Sequence, residues 1–162
     1  MKHMLIFGLG YTAGRLADAL KARGWAVDAT GSAGNIAFND EHAVRAALRE
    51  ASHLVSSVPP DRQTGDDPVL ARYGEALSSR WIGYLSSTGV YGDQHGAWVD
   101  ESTPTVSGAS KGRRNARADA DAKWMQLGAR VFRLPGIYGP ERSALDRVRE
   151  GKARRIDIPG QV

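Results

Sequence analysis

A chain of 162 residues, 41% hydrophobic and 25% charged, is long enough for one domain with a core and too short for two of ordinary size. That balance sets disorder aside, and no apolar run approaches the roughly 18 residues a membrane span needs, so a soluble protein is expected. The net charge is +4, and the absence of cysteine excludes disulfides, thiolate nucleophiles and Cys-based zinc sites and fits a reducing cytoplasm.

The apolar run at residues 4–7 ends in glycine and reads as a buried strand. Ala13, Leu16, Ala17 and Leu20 then recur at helical spacing, and Gly24 stands where a left-handed helix end belongs. Strands are expected at 26–30 and, briefly, at 36–38. Asp40 is a natural N-cap for a helix whose apolar face is Val44, Ala47, Leu48 and Ala51. A fourth strand at 53–58 stops at Pro59-Pro60, a modest helix covers 69–77, and a fifth strand covers 81–86. After a loop-rich stretch at 89–108 come a long helix from about 110 to 127, a sixth strand at 129–134 and a last helix at 142–150.

Strands alternating with helices imply a parallel sheet covered on both faces. The turn after the first strand adds chemistry. In Gly8-Leu9-Gly10-Tyr11-Thr12-Ala13-Gly14 the first glycine permits a tight turn, and the second lets backbone approach a diphosphate. Ala13 takes the third place, where a small residue allows close helix–strand packing. The exposed N–H groups and the positive end of the helix favour the phosphates. The expected fold is therefore an α/β, Rossmann-type doubly wound sheet of about six strands in the order 3-2-1-4-5-6, spanning residues 1–162. A flavodoxin-like sheet is the rival, and the glycine motif argues against it.

Cofactor choice turns on the end of the second strand. Asp28 lies inside that strand, and its end carries Thr30, Gly31 and Ser32, with no acid to repel a 2′-phosphate. That tips the expectation toward NADP over NAD.

With the fifth strand, Leu85-Ser86-Ser87-Thr88-Gly89-Val90-Tyr91-Gly92-Asp93 resembles the Ser-Ser-x-x-Val-Tyr-Gly segment of extended short-chain dehydrogenases/reductases, the NAD-dependent epimerase/dehydratase family. Arg133-Leu134-Pro135-Gly136-Ile137-Tyr138-Gly139-Pro140 resembles that family's Arg-x-Pro-x-x-Tyr-Gly-Pro segment. The resemblance implies an NAD(P)-dependent oxidoreductase or epimerase-like protein. Ser87 would stand at the catalytic Ser/Thr position, Ser57 and Val58 along the cofactor, and Pro135 and Gly136 near its nicotinamide end.

The family's Tyr-x-x-x-Lys has no counterpart here. One register puts Ser107 and Lys111 in its place. The other, which keeps the usual distance from Ser87, puts Arg113 and Arg117 there, followed by Asp121, and is preferred for its i, i+4, i+8 spacing on one long helix. An arginine stays protonated and does not relay a proton as tyrosine does. The three charged residues read either as a solvated stripe with ordinary i, i+4 pairing or as groups that bind an anionic substrate or a cofactor phosphate. Tyr91 and Tyr138 read as packing residues rather than substitute acids. A non-catalytic NAD(P)-binding or sensor module is accordingly the alternative function. The family's C-terminal substrate-binding portion is expected to be absent or truncated.

The four histidines, His3, His42, His53 and His95, show no ligand spacing, so no metal is expected. The late basic clusters at 111–117 and 147–155 lack interleaved aromatics and read as solvated helix faces, not a nucleic-acid surface. A small-molecule substrate is the expected partner, and a homodimer is left open.

Overall fold

Met4, Leu5, Ile6 and Phe7 are all buried, which a strand achieves only when both sheet faces are covered. In the computed structural model, which describes residues 2–61, 63–77, 80–107, 109–110 and 113–154, they form β1 (His3–Phe7). Successive side chains point to opposite faces. Leu5 and Phe7 join one core layer with Val44, Leu48, Val69, Tyr73 and Trp124. Met4 and Ile6 join the other with Ala13, Ala17 and Leu20.

The remaining elements in order are α1 (Tyr11–Lys21), β2 (Ala26–Ala29), α2 (Glu41–Glu50), β3 (His53–Ser56), α3 (Pro68–Tyr73), β4 (Trp81–Ser87), a short antiparallel pair β5 (Ala109–Ser110) and β6 (Arg113–Arg114), α4 (Ala116–Gln126), β7 (Arg130–Leu134) and α5 (Ala144–Arg149). Five strands make one parallel sheet in the order β2-β1-β3-β4-β7. The chain runs outward from β1 to β2, then reverses to β3, β4 and β7. That reversal puts α1 on one face and α2, α3 and α4 on the other, as right-handed crossovers require. The result is a Rossmann-type doubly wound sheet whose topological switch point lies between β1 and β3.

Local chemistry sets the element ends. Asp40 caps α2 by accepting from the Ala43 N–H at 3.0 Å, and Asp67 caps α3 by accepting from Val69 and Leu70. Gly24 and Gly128 take positive φ beyond α1 and α4.

Two expectations need correction. The strand expected at 36–38 is reduced to one parallel bridge between Thr30 and Ile36. The Asn35 side chain takes the Ala29 N–H at 2.8 Å and donates to Asp28 at 2.6 Å, while Ile36 and Phe38 pack down onto the core. A polar side chain thus fills the edge position that a longer strand would need.

The long helix begins at Ala116, not near 110, because Asn115 caps it by accepting from the Ala118 N–H at 3.1 Å. Arg113 falls in β6, ahead of the helix, so the i, i+4, i+8 stripe with Arg117 and Asp121 does not exist. Lys111 lies outside the described residues. No helix among the described residues is long and apolar enough to cross a membrane.

Candidate functional site: the crevice at the carboxyl ends of the strands

The glycine turn is held by three contacts. The Leu9 N–H donates to the Thr30 carbonyl at 2.8 Å, the Gly8 N–H to the Thr30 hydroxyl at 3.2 Å, and the Ser57 hydroxyl to the Gly8 carbonyl. Gly8 (φ +83) and Gly31 (φ +108) occupy the left-handed region. A Cβ on Gly31 would stand 3.0 Å from the Leu9 nitrogen, so the ends of β1 and β2 approach as closely as backbone permits. A Cβ on Gly10, by contrast, would meet nothing within 4 Å.

Gly10 is also the N-cap of α1. It offers no side-chain cap, and the first turn carries no acidic residue. The opening N–H groups of α1 therefore keep their partial positive charge for a ligand. The Thr12 hydroxyl beside them is buried and has no hydrogen-bond partner among the described residues.

Two cavities meet at this turn. One, of about 310 Å³, lies between the α1 mouth (Gly10, Tyr11, Thr12, Ala13) and the ends of β4 and β7 (Ser87, Leu134, Pro135), with Ser57, Arg117 and Arg142 on its walls. The other, of about 290 Å³, lies over Gly8, Gly31, Ser32, Val58 and Pro59. They share Gly10 and Ser57, so together they form a trough across the switch point. The fold thus gathers most residues picked out from sequence. Gly14 and Gly136 line neither cavity, and Arg113 stands in the β5–β6 pair.

Ser87 ends β4 and caps the following 3₁₀ turn (Thr88–Tyr91), its hydroxyl oxygen accepting from the Gly89 N–H at 3.1 Å. That bond uses a lone pair and leaves the hydroxyl proton available to the cavity. Arg117, in the first turn of α4, donates to the Tyr84 hydroxyl at 3.1 Å. Tyr84 is fully buried and stacked on Trp124 (centroids 5.2 Å apart), and burial pushes its pKa up to about 12 against the opposing pull of Arg117. Tyr11 bridges the glycine turn to the loop after β7. Its hydroxyl donates to the Pro140 carbonyl at 3.0 Å, and Arg15 and Arg142 lie over its ring at 5.3 and 5.4 Å.

The two other tyrosines differ. Tyr91 is buried and its hydroxyl donates to the Asp100 carbonyl at 2.9 Å, a packing role as expected. Tyr138 is 85% exposed, so the expected packing role does not hold.

Asp121 is not on a solvated stripe. It is fully buried and paired with Arg133, and it accepts from Ser86. Sequence reasoning missed this network. The available signal was an Asp on a helix whose partner is the arginine of the Arg-x-Pro segment.

No family model matches the chain. Protein YeeZ of Escherichia coli, in strains K12 and O157:H7, is 31% identical over 173 residues, spanning 88% of this chain and 61% of the relative. Among solved structures, a protein of unknown function from Silicibacter pomeroyi is 38% identical with a TM-score of 0.78, over 99% of this chain and 62% of that one. A proposed NAD-dependent epimerase/dehydratase from Methylobacillus flagellatus is 26% identical with a TM-score of 0.70, over 92% and 59%. WbmH of Bordetella bronchiseptica, solved with NAD+, shares the fold at 19% identity and a TM-score of 0.60, over 94% and 64%. By fold and by its ordered motifs, the chain resembles the extended short-chain dehydrogenases/reductases, the NAD-dependent epimerase/dehydratase group. It spans about three fifths of the length of the relatives it matches.

Proposed function

We propose that the chain binds NAD or NADP along the trough and serves an NAD(P)-dependent oxidoreductase or epimerase-like reaction on a small molecule. The observation that carries this is the uncapped α1 mouth at Gly10, open to the trough at the switch point and free of acidic residues. Its N–H groups and the unpartnered Thr12 hydroxyl suit a diphosphate. Gly31, Ser32 and Val58 would flank the adenosine half, and Ser57, Pro135 and Ser87 the nicotinamide half. WbmH, with NAD+ bound on the same fold, supports the assignment at the level of the fold.

NADP is favoured over NAD. Asp28, the acid nearest the end of β2, is occupied by His3 at 2.9 Å and by Asn35, and the lining at Gly31 and Ser32 is neutral. The cysteine-free sequence suits a cytoplasmic site of action.

When bound, the nicotinamide supplies or accepts a hydride. Ser87 donates a hydrogen bond to the reacting oxygen of the substrate. Arg117 contributes fixed positive charge where negative charge develops, worth more in a cavity than in water. Arg117 holds its proton throughout, so proton exchange with the substrate oxygen passes through Ser87 and solvent.

Calorimetric titration with NADP, NADPH, NAD and NADH tests the binding claim, and failure of all four to bind overturns it. The second reading, a non-catalytic NAD(P)-binding or sensor module, is favoured by the missing Tyr-x-x-x-Lys and by the break between Arg113 and α4. Reduced-nicotinamide absorbance against a carbonyl panel separates the two. Turnover that disappears in Ser87→Ala supports the enzyme, and binding without turnover supports the sensor.

A further inference from the structure

The first cavity is electrostatically one-sided. Its charged lining consists of Arg117 and Arg142, with no aspartate or glutamate among the described residues that line it. Arg133, a third guanidinium close by in the fold, is neutralised by Asp121 at 3.0 Å. Arg117 and Arg142 form no ion pair among the described residues and are held by neutral groups instead, a tyrosine hydroxyl and a tyrosine ring. A guanidinium anchored this way keeps its charge and most of its five donors for a ligand.

The two cations belong to different ends of the cavity. Arg142 packs on Tyr11, the first residue of α1, and so stands at the helix mouth. Arg117 is tied to Tyr84 in β4, three residues before Ser87. A diphosphate at the helix mouth would be matched by the α1 N–H groups and Arg142. Arg117 would remain unmatched beside Ser87, and a partly buried cation is costly unless an anion meets it.

We infer that Arg117 is the anion receptor of the site, and that the substrate carries a carboxylate or phosphate next to the carbonyl or carbinol that Ser87 contacts. The substrate wording rests on the cofactor reading above. Charge pairing with a guanidinium is strong and planar-selective, which suits a carboxylate or phosphate better than a neutral hydroxyl.

The test is ligand-observed NMR on the full chain, with and without saturating oxidised cofactor. The probes are pyruvate, its neutral methyl ester and inorganic phosphate. Pyruvate or phosphate should bind at least about tenfold more tightly than the ester, and Arg117→Gln should erase that preference while Arg117→Lys retains part of it. Pyruvate selectivity alone identifies a carboxylate substrate, and phosphate selectivity alone a phosphorylated one. Arg142→Gln should instead weaken the dinucleotide. Equal binding of acid and ester overturns the inference, as does an anion preference that survives Arg117→Gln while the cofactor fills the helix mouth. If no dinucleotide binds but Arg117-dependent selectivity appears in the cofactor-free chain, the cofactor reading falls and the anion receptor stands.

Discussion

Asp121 of α4 grips Arg133 of β7 through two bonds, from Nη2 to Oδ1 at 3.0 Å and from Nε to Oδ2 at 3.2 Å. The same Oδ2 accepts from the Ser86 hydroxyl at 2.8 Å, and Arg133 donates onward to the Tyr91 hydroxyl at 3.1 Å while lying over its ring. Ser86 precedes Ser87, and Arg133 stands two residues before Pro135. One buried carboxylate therefore fixes the two strand ends that frame the first cavity. Hydrogen bonding to Asp121 raises the Arg133 pKa further above its ordinary value.

Removing that carboxylate should be severe. Asp121→Asn leaves a mostly buried guanidinium without its counter-charge, and the expected loss is about 3–5 kcal/mol in urea unfolding. Asp121→Leu combined with Arg133→Met removes both charges and should recover most of it, since a buried pair is often no better than apolar side chains of similar size. A double variant as unstable as Asp121→Asn would show that packing, not charge, dominates here.

The elements legible in the sequence are those whose signals are local. The β1 run, the apolar face of α2 and the Asp40 and Gly24 boundaries all follow from patterns within one turn or strand. Pattern and structure part where a side chain competes with the backbone. Asn35 takes the edge hydrogen bond of β2, and Asn115 starts α4 several residues late. At the site, Ser87 and the glycine turn were visible as motifs. The Asp121–Arg133 pair spans 12 residues and two elements, and the Tyr84–Arg117 contact spans 33, so neither leaves a periodic trace.

Tyr84 makes stability sensitive to alkali. An unfolded tyrosine ionises near 10.0, whereas burial pushes Tyr84 to about 12, so between those values the native state holds a proton that the unfolded chain releases. Its contribution is whole below about pH 10 and declines as pH rises through the folded value, with a slope of at most about 1.4 kcal/mol per pH unit. Denaturation midpoints measured across that window should fall less steeply in Tyr84→Phe than in the parent. Arg117→Gln should raise the Tyr84 pKa further in an ultraviolet titration, because the nearby positive charge lowers it.

Two glycines of the turn should part company on mutation. Gly31→Ala places a Cβ at φ +108, 3.0 Å from the Leu9 nitrogen, and should cost roughly 1–3 kcal/mol. Gly10 has φ −87 and open space, so Gly10→Ala should fold with stability within about 1 kcal/mol of the parent. If the diphosphate fills that space, Gly10→Ala should still weaken dinucleotide binding by about tenfold or more, measured by calorimetry. Unchanged affinity in a well-folded Gly10→Ala would place the phosphates elsewhere.

The contact between Tyr11 and the 139–142 turn couples the glycine turn to the far wall of the cavity. Gly139 and Arg142 exchange backbone bonds of 3.1 and 2.9 Å, and the Tyr11 hydroxyl reaches the Pro140 carbonyl between them. Tyr11→Phe keeps the ring under Arg15 and Arg142 and loses that one bond, so it should cost about 0.5–1.5 kcal/mol. The amides of Gly139 and Arg142 should then exchange faster with solvent hydrogen. A Cβ on Gly139 would collide with the Tyr11 hydroxyl oxygen, so Gly139→Ala should be clearly destabilising in the parent. In the Tyr11→Phe background the atom it strikes is gone, and the same substitution should cost less. A double-mutant cycle should therefore show a coupling of about 0.5–3 kcal/mol between the two positions, the range for side chains in direct contact. Strict additivity would mean that the loop after β7 is placed by its own turn, with Tyr11 merely resting against it.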